Sequence, residues 1–257
     1  MTAITADRAS SPATIGAFAR ITRVVKLQFA NPWSILITPW MIMGFIFVVN
    51  LAIWWIITTI AAPSDAADAV DGFQYSGASG FVFVYMLVVA IMAMNQTFAF
   101  ALGFGATRRD YYLGTALTFV ILSAIFTAGF VVLGAIERAT GGWGLGGRMF
   151  TPVYLGDEWY VQAFCVFVAL LFFFFVGSIS GAIYVRYKSF GVTLFWCLVA
   201  LGVVGGAALL TLTGTWESFG KFFGDAGFVG GYAVSLVPTV IAAVAGFFVL
   251  RRATPRS

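Results

Sequence analysis

Long apolar runs separated by short polar segments set the pattern of this chain. Six stretches, roughly 38–60, 80–104, 114–136, 160–184, 191–213 and 228–250, are continuous enough to cross a bilayer, where about 20 residues span ~30 Å of hydrocarbon. Backbone groups in lipid must be satisfied within their own segment, so each stretch predicts a helix. Ile53-Trp54-Trp55-Ile56-Ile57 and Phe172-Phe173-Phe174-Phe175 do not alternate as barrel strands do. The expected fold is all-α: a polytopic membrane protein with six transmembrane helices in a single domain over 14–250, with no sequence repeat between its halves.

Ahead of the first span, Thr14–Ala30 follows a helical period. Ala17, Phe18, Ile21, Val24, Val25 and Phe29 share one face, and Arg20, Arg23 and Lys26 the other. This N-terminal amphipathic helix either lies on an anionic membrane surface as an interfacial helix or docks on a partner. Asn31-Pro32-Trp33 ends it, because proline donates no backbone hydrogen bond, and Pro39 falls in the first turn of the first span. Residues 1–13 read as a disordered tail and 251–257 as a cytoplasmic tail. Ala61-Ala62-Pro63 mimics a cleavage site, but the apolar run before it is too long for a signal peptide. Trp216, Phe219 and Phe223 recur at helical spacing in Thr215–Gly224, which is either a short interfacial or re-entrant piece or a plain loop with aromatic anchors. The glycine-rich loop 138–159 has no lysine, so it is no phosphate loop and reads as a flexible linker.

Charge orients the helices. On one side lie 11 of the 14 basic residues: Arg8, Arg20, Arg23, Lys26, Arg108, Arg109, Arg186, Lys188, Arg251, Arg252 and Arg256. The other side holds eight of the ten acids, Asp65, Asp68, Asp71, Glu137, Asp157, Glu158, Glu217 and Asp225, with Arg138, Arg148 and Lys221. Positive residues mark the cytoplasmic side, so both termini are expected inside, in the cell membrane. Trp33 and Trp40 inside, and Trp143, Trp159 and Trp216 outside, suit an interfacial belt.

Composition removes whole classes of function. Only 9% of the 257 residues are charged and 61% are hydrophobic, against roughly 25% charged in soluble domains. A cytosolic enzyme and a nucleic-acid-binding domain are both excluded. With no histidine, there is no Ser-His or Cys-His pair, no His-ligated metal and no His proton relay. Gly177-Ser178-Ile179-Ser180-Gly181 is not G-x-S-x-G, and its glycines, like Gly202 and Gly206, form G-x-x-x-G pairs suited to close helix packing. Cys165 and Cys197 read as small core hydrophobes rather than a disulfide. No catalytic residue, metal ligand or cofactor is expected. Glu137 and Arg138 end the third span where water reaches them, so no carboxylate sits at mid-membrane for ion coupling. Asn50, Asn95, Gln96 and Thr97 are the most polar residues within spans, and either tie helices together or line a substrate path. No Walker motif surrounds any of the three lysines, so an energy source must be another subunit.

One turn stands out: Leu102-Gly103-Phe104-Gly105-Ala106-Thr107-Arg108-Arg109-Asp110-Tyr111-Tyr112-Leu113-Gly114. Thr107 or Asp110 suits a helix cap, and Tyr111 and Tyr112 suit interfacial anchors. Positive-inside charge with an aromatic anchor would account for it. The pattern Gly-x-Thr-Arg-Arg-x-Tyr-Tyr between the second and third of six spans also resembles permease subunits of ATP-binding cassette (ABC) transporters, in the exporter-type family of Gram-positive bacteria. The local likeness covers Gly103–Gly114; the layout of spans extends it over the whole chain. The resemblance implies that Arg108, Arg109, Asp110 and Tyr111 couple to a separate ATPase subunit, braced by Arg20, Arg23 and Lys26, with Tyr184–Lys188 adding to the footing. It implies a homodimer or a pair with a related permease, in contact with membrane lipid. The rival readings are a non-transporting scaffold or partner-binding subunit, and an ion-coupled transporter.

Overall fold

The computed structural model describes residues 16–60 and 70–252. The tail 1–13, Ala61-Ala62-Pro63, Asp65, Asp68, Arg8 and Arg256 lie outside the described residues, as does most of 251–257. Among the described residues the protein is all-helical, and five of its helices are long and apolar enough to cross a membrane.

Helix α1 is Ala17–Gln28, ending four residues before Pro32. A π-helical turn, Trp33–Ile37, leads into α2, Thr38–Ile60, with Pro39 in its first turn where the missing N–H costs nothing. Helix α3 consists of Phe81–Met92 and Phe98–Gly103, joined through a π-helical turn at Ala93–Thr97. Helix α4 is Arg108–Ala139, α5 is Trp159–Leu212 and α6 is Trp216–Arg251.

Two of these helices are broken. Lys188 adopts φ 57°, ψ −156° within the 54 residues of α5, separating the fourth and fifth apolar stretches. Below the break, Ile179 and Ile183 form a small core with Ala242, on which Val192 and Phe195 also pack. In α6, Gly227 (φ 61°) divides a short helix, 216–226, from the long one, 228–251. The segment around Trp216 and Phe219 is therefore helical, not a loop.

The core lies where α3, α4 and the first half of α5 meet. Phe119 stacks on Phe174 at 4.7 Å between α4 and α5, and Phe83 on Phe173 at 5.7 Å between α3 and α5. The expectation for Gly177 and Gly181 holds. A Cβ on Gly177 would strike the carbonyl of Leu87, and one on Gly181 would lie 2.7 Å from the Met94 Cβ, so α3 and α5 touch backbone to backbone there. Gly202 and Gly206 differ: a Cβ there meets nothing within 4 Å, so they pack no helix among the described residues. The second half of α5 is nearly all exposed. Cys165 is buried, but Cys197 lies on that exposed half and is no core residue; both thiols are free.

Three other expectations change at the end of the bundle where loop 138–159 lies. That loop is folded rather than flexible. Gly141, Gly142, Gly144, Gly146 and Gly156 take positive φ, and the chain turns back into the bundle. Glu137 is 1% exposed, not open to water. Its carboxylate accepts hydrogen bonds from the Trp143 indole (2.9 Å), from the backbone N–H groups of Met149 (2.9 Å), Phe150 (3.1 Å) and Thr151 (2.8 Å), and from the Thr151 hydroxyl. Trp143 also packs edge-on against Phe47 at 4.7 Å, so it is a packing residue rather than a belt residue. Trp40 likewise stacks on Phe126 at 5.1 Å. Gln162, which the sequence pattern did not single out, joins α5 to this cap: it donates to the carbonyls of Phe130 and Phe150 and accepts from Arg138. Burial raises the pKa of the Tyr154 hydroxyl in the loop, and that hydroxyl donates to the Ser76 carbonyl at 2.9 Å.

Candidate functional site

The turn 104–107 leads from α3 into α4. Gly105 takes φ +79°, which glycine adopts without Cβ strain. Thr107 is the cap of α4, its Oγ1 accepting from the Asp110 N–H at 3.1 Å. The first four residues of α4, Arg108 to Tyr111, then point in different directions, and their roles separate.

Asp110 and Tyr111 face inward. The Asp110 side chain is 7% exposed and accepts from Arg20 Nε of α1 at 2.7 Å. Tyr111 is fully buried; its hydroxyl donates to the Ala93 carbonyl in the π-helical turn of α3. Gln28 of α1 reaches the same hydroxyl at 3.4 Å and Thr115 at 3.2 Å. Tyr112 is buried as well and donates to the Ala243 carbonyl of α6 at 2.6 Å. The two tyrosines are thus cross-links between helices, not interfacial anchors. α1 lies close on α4: a Cβ on Gly114 would stand 2.6 Å from Val24 Cβ and 3.0 Å from the Ile21 carbonyl oxygen. Any side chain there would push the two helices apart.

Arg108 and Arg109 face outward. Arg108 donates through Nη1 to the Arg251 carbonyl at 3.0 Å, fastening the end of α6. Arg109 is exposed. On the α1 side, Arg20, Arg23, Val24, Leu27, Ala101, Phe104, Gly105 and Ala106 enclose a socket of about 290 Å³ with an apolar floor and two guanidiniums at its rim. Lys26 is exposed one turn along α1. Of the expected coupling residues, Asp110 and Tyr111 are buried, Asp110 held by the exposed Arg20, while Arg23, Lys26 and Arg109 face the surroundings. Arg186 and Lys188 mark the break in α5, with the Arg186 guanidinium 4.9 Å from the centre of the Tyr187 ring.

The polar residues within spans do not converge. Asn50 donates to the Ile46 carbonyl of its own helix at 3.1 Å. It therefore ties no second helix. Asn95 and Gln96 are exposed on the π-helical turn of α3. Gln96 and Thr97 line a groove of about 450 Å³ with Gln28, which ends α1, and with Asn31 and Ser34 beyond it. The inter-helix amides are instead Gln28 and Gln162, whose partners lie far away in sequence. Among the described residues, no group of three or more carboxylates and cysteines could hold a metal ion.

Compared with known proteins, the chain matches no family model, no curated protein and no solved structure.

Proposed function

We propose that this chain is the permease subunit of an ABC exporter of the cell membrane, driven by a separate ATPase subunit. In this reading the chain crosses six times, with both termini in the cytoplasm. The 54 residues of α5 would extend about 81 Å as one straight helix, far beyond a bilayer. The break at Lys188, with Val192 and Phe195 packed back on Ile179 and Ile183, supports two crossings.

The observation that carries the reading is the corner where α1 clasps the 104–110 turn. A positive, apolar-floored socket at the end of three packed elements is a surface on which a partner can push. The Arg20–Asp110 pair, the Tyr111 cross-links and the Gly114 contact make α1, α3 and α4 move as one body. An ATPase that seats a hydrophobic side chain in the socket, with carboxylates against Arg23, Lys26 and Arg109, would carry these helices with it when ATP closes the ATPase pair. Rigid-body motion of packed helices then alternates access to a path between two copies, or between this chain and a related permease. Asn95, Gln96 and Thr97 lie where such a path would open at the cytoplasmic side, whereas Asn50 has no partner across the bundle.

The test is co-expression of the chain with its neighbouring genes and purification in mild detergent. A stoichiometric ATPase that is lost on Arg108→Glu/Arg109→Glu, with the chain still in the membrane, supports the reading. An ATPase that stays bound to that double variant, with unchanged transport, refutes the assignment of the coupling surface. The scatter of Asn50 away from Asn95 and Gln96 favours a second reading, a non-transporting membrane scaffold. A chain that purifies without any ATPase selects it.

A further inference from the structure

On the side of the turn away from α1, the start of α4 and the end of α6 enclose a groove of about 770 Å³. Its walls are Leu113, Ala243, Val244 and Phe247, and two guanidiniums, Arg109 and Arg251, stand at its mouth. The groove is built, not incidental. Tyr112 donates across it to the Ala243 carbonyl at 2.6 Å, Tyr112 and Phe247 meet edge-on at 5.6 Å, and Arg108 holds the Arg251 carbonyl at 3.0 Å. These contacts fix both walls of the groove.

Neither the Arg109 nor the Arg251 side chain forms an ion pair or hydrogen bond among the described residues. Two guanidiniums that line one groove without a hydrogen-bonded partner call for an anion. The walls below them call for hydrocarbon, since Leu113 and Val244 are exposed apolar side chains. Both cations also lie where the apolar stretches 114–136 and 228–250 stop, the depth of lipid headgroups in a membrane. Basic pockets at the ends of membrane helices hold phosphorylated headgroups.

We infer that this groove is a binding site for an anionic glycerophospholipid, its phosphate held between Arg109 and Arg251 and one acyl chain lying along Leu113, Val244 and Phe247. A bound lipid would bridge the turn to the end of α6 on the face opposite α1. The inference rests on the chain lying in a membrane and needs no ATPase.

The experiment uses the full chain in mild detergent, loaded with phosphatidylglycerol or with phosphatidylcholine of the same acyl chains, and counts retained lipid by native mass spectrometry. One interfacial arginine favours an anionic lipid by roughly fivefold, and two by up to about thirtyfold. Wild type is expected to retain phosphatidylglycerol within that range over phosphatidylcholine, and Arg109→Ala/Arg251→Ala to show no preference. Arg251→Lys keeps the charge and should keep most of the preference. Val244→Trp fills the groove without touching charge, and should lose the bound lipid. Equal retention of both lipids by wild type overturns the inference, as does a preference that survives the double variant. A preference that survives Val244→Trp but is abolished by millimolar inorganic phosphate would mark a phosphate site without an acyl groove, and overturns it too.

Discussion

Replacing Glu137 by glutamine tests whether loop 140–156 is held by one buried carboxylate. The two oxygens of Glu137 divide five donors. Oε2 accepts from Trp143, Met149 and Phe150; Oε1 accepts from the N–H and hydroxyl of Thr151. In Glu137→Gln one oxygen becomes an NH2 group, which can only donate. The less costly orientation puts it at Oε1, because the Thr151 hydroxyl can rotate to accept while only one backbone N–H is orphaned. Hydrogen bonds to a charged group contribute about 1 kcal/mol more than neutral ones. The three bonds kept at Oε2 therefore lose roughly 3 kcal/mol together, and an orphaned, buried Thr151 N–H adds about 1–3 kcal/mol. A local loss of roughly 4–6 kcal/mol follows, which corresponds to opening about a thousandfold or more as often. Hydrogen exchange in detergent reads this directly at the amides of 149–151, with amides of 81–92 as the internal control. Glu137→Asp keeps the charge but shortens the reach, and should fall between the two. Unchanged protection at 149–151 in Glu137→Gln would refute the argument that the carboxylate holds the loop.

Three further outcomes are expected. Arg20→Ala leaves the Asp110 carboxylate buried without its guanidinium; because Arg20 is 43% exposed, water compensates in part and the loss is about 1–2 kcal/mol, seen as faster proteolysis within 17–28. Asp110→Asn/Arg20→Ala should recover part of that loss, since no charge is then left unpaired, and a double variant worse than either single one would speak against the pair. A Cβ on Gly129 runs into the Trp40 ring, which cannot yield while stacked on Phe126; Gly129→Ala should cost about 1–3 kcal/mol in thermal unfolding. Gly202→Ala, where a Cβ meets nothing within 4 Å, should leave the Tm of the isolated chain unchanged.

The helices are legible because an apolar run in lipid has one way to satisfy its backbone. Thr38–Ile60 forms a helix over the same residues that hydropathy marks. The turn at Gly105 and the cap at Thr107 are legible for a similar reason: each depends on neighbours within a few residues. What the pattern hides is the destination of side chains. Tyr111 and Tyr112 look like interfacial anchors because the residues around them are polar, yet their partners, Ala93 and Ala243, are 18 and 131 residues away. Asp110 reads as a helix cap or a coupling residue, and nothing nearby in sequence shows Arg20 reaching it. Loop 138–159 misleads in another way. Glycines that supply flexibility in a linker here supply the positive φ that lets the chain turn back on Glu137. A lone glutamate at the end of an apolar helix, followed by a glycine-rich stretch without a lysine, is the signal that was present and is readable only together with its distant donors.

The two ends of the bundle are fastened by different physics, and that difference bears on which end moves. At the Glu137 end one buried charge gathers donors from a single loop, so any opening must strand several polar groups at once. At the basic end the fastenings are spread over separate helices: Arg20 to Asp110, Gln28 to Tyr111 and Thr115, Tyr112 to Ala243, and Arg108 to the Arg251 carbonyl. Each joins only two elements, and one of them uses the exposed Arg20, which water can replace. The Lys188 break and the exposed second half of α5 also belong to α5 beyond the core. The contacts to α6 can therefore exchange one at a time while α1, α3 and α4 stay together. Opening at the basic end can thus break one bond at a time, whereas opening at the Glu137 cap strands its five donors together.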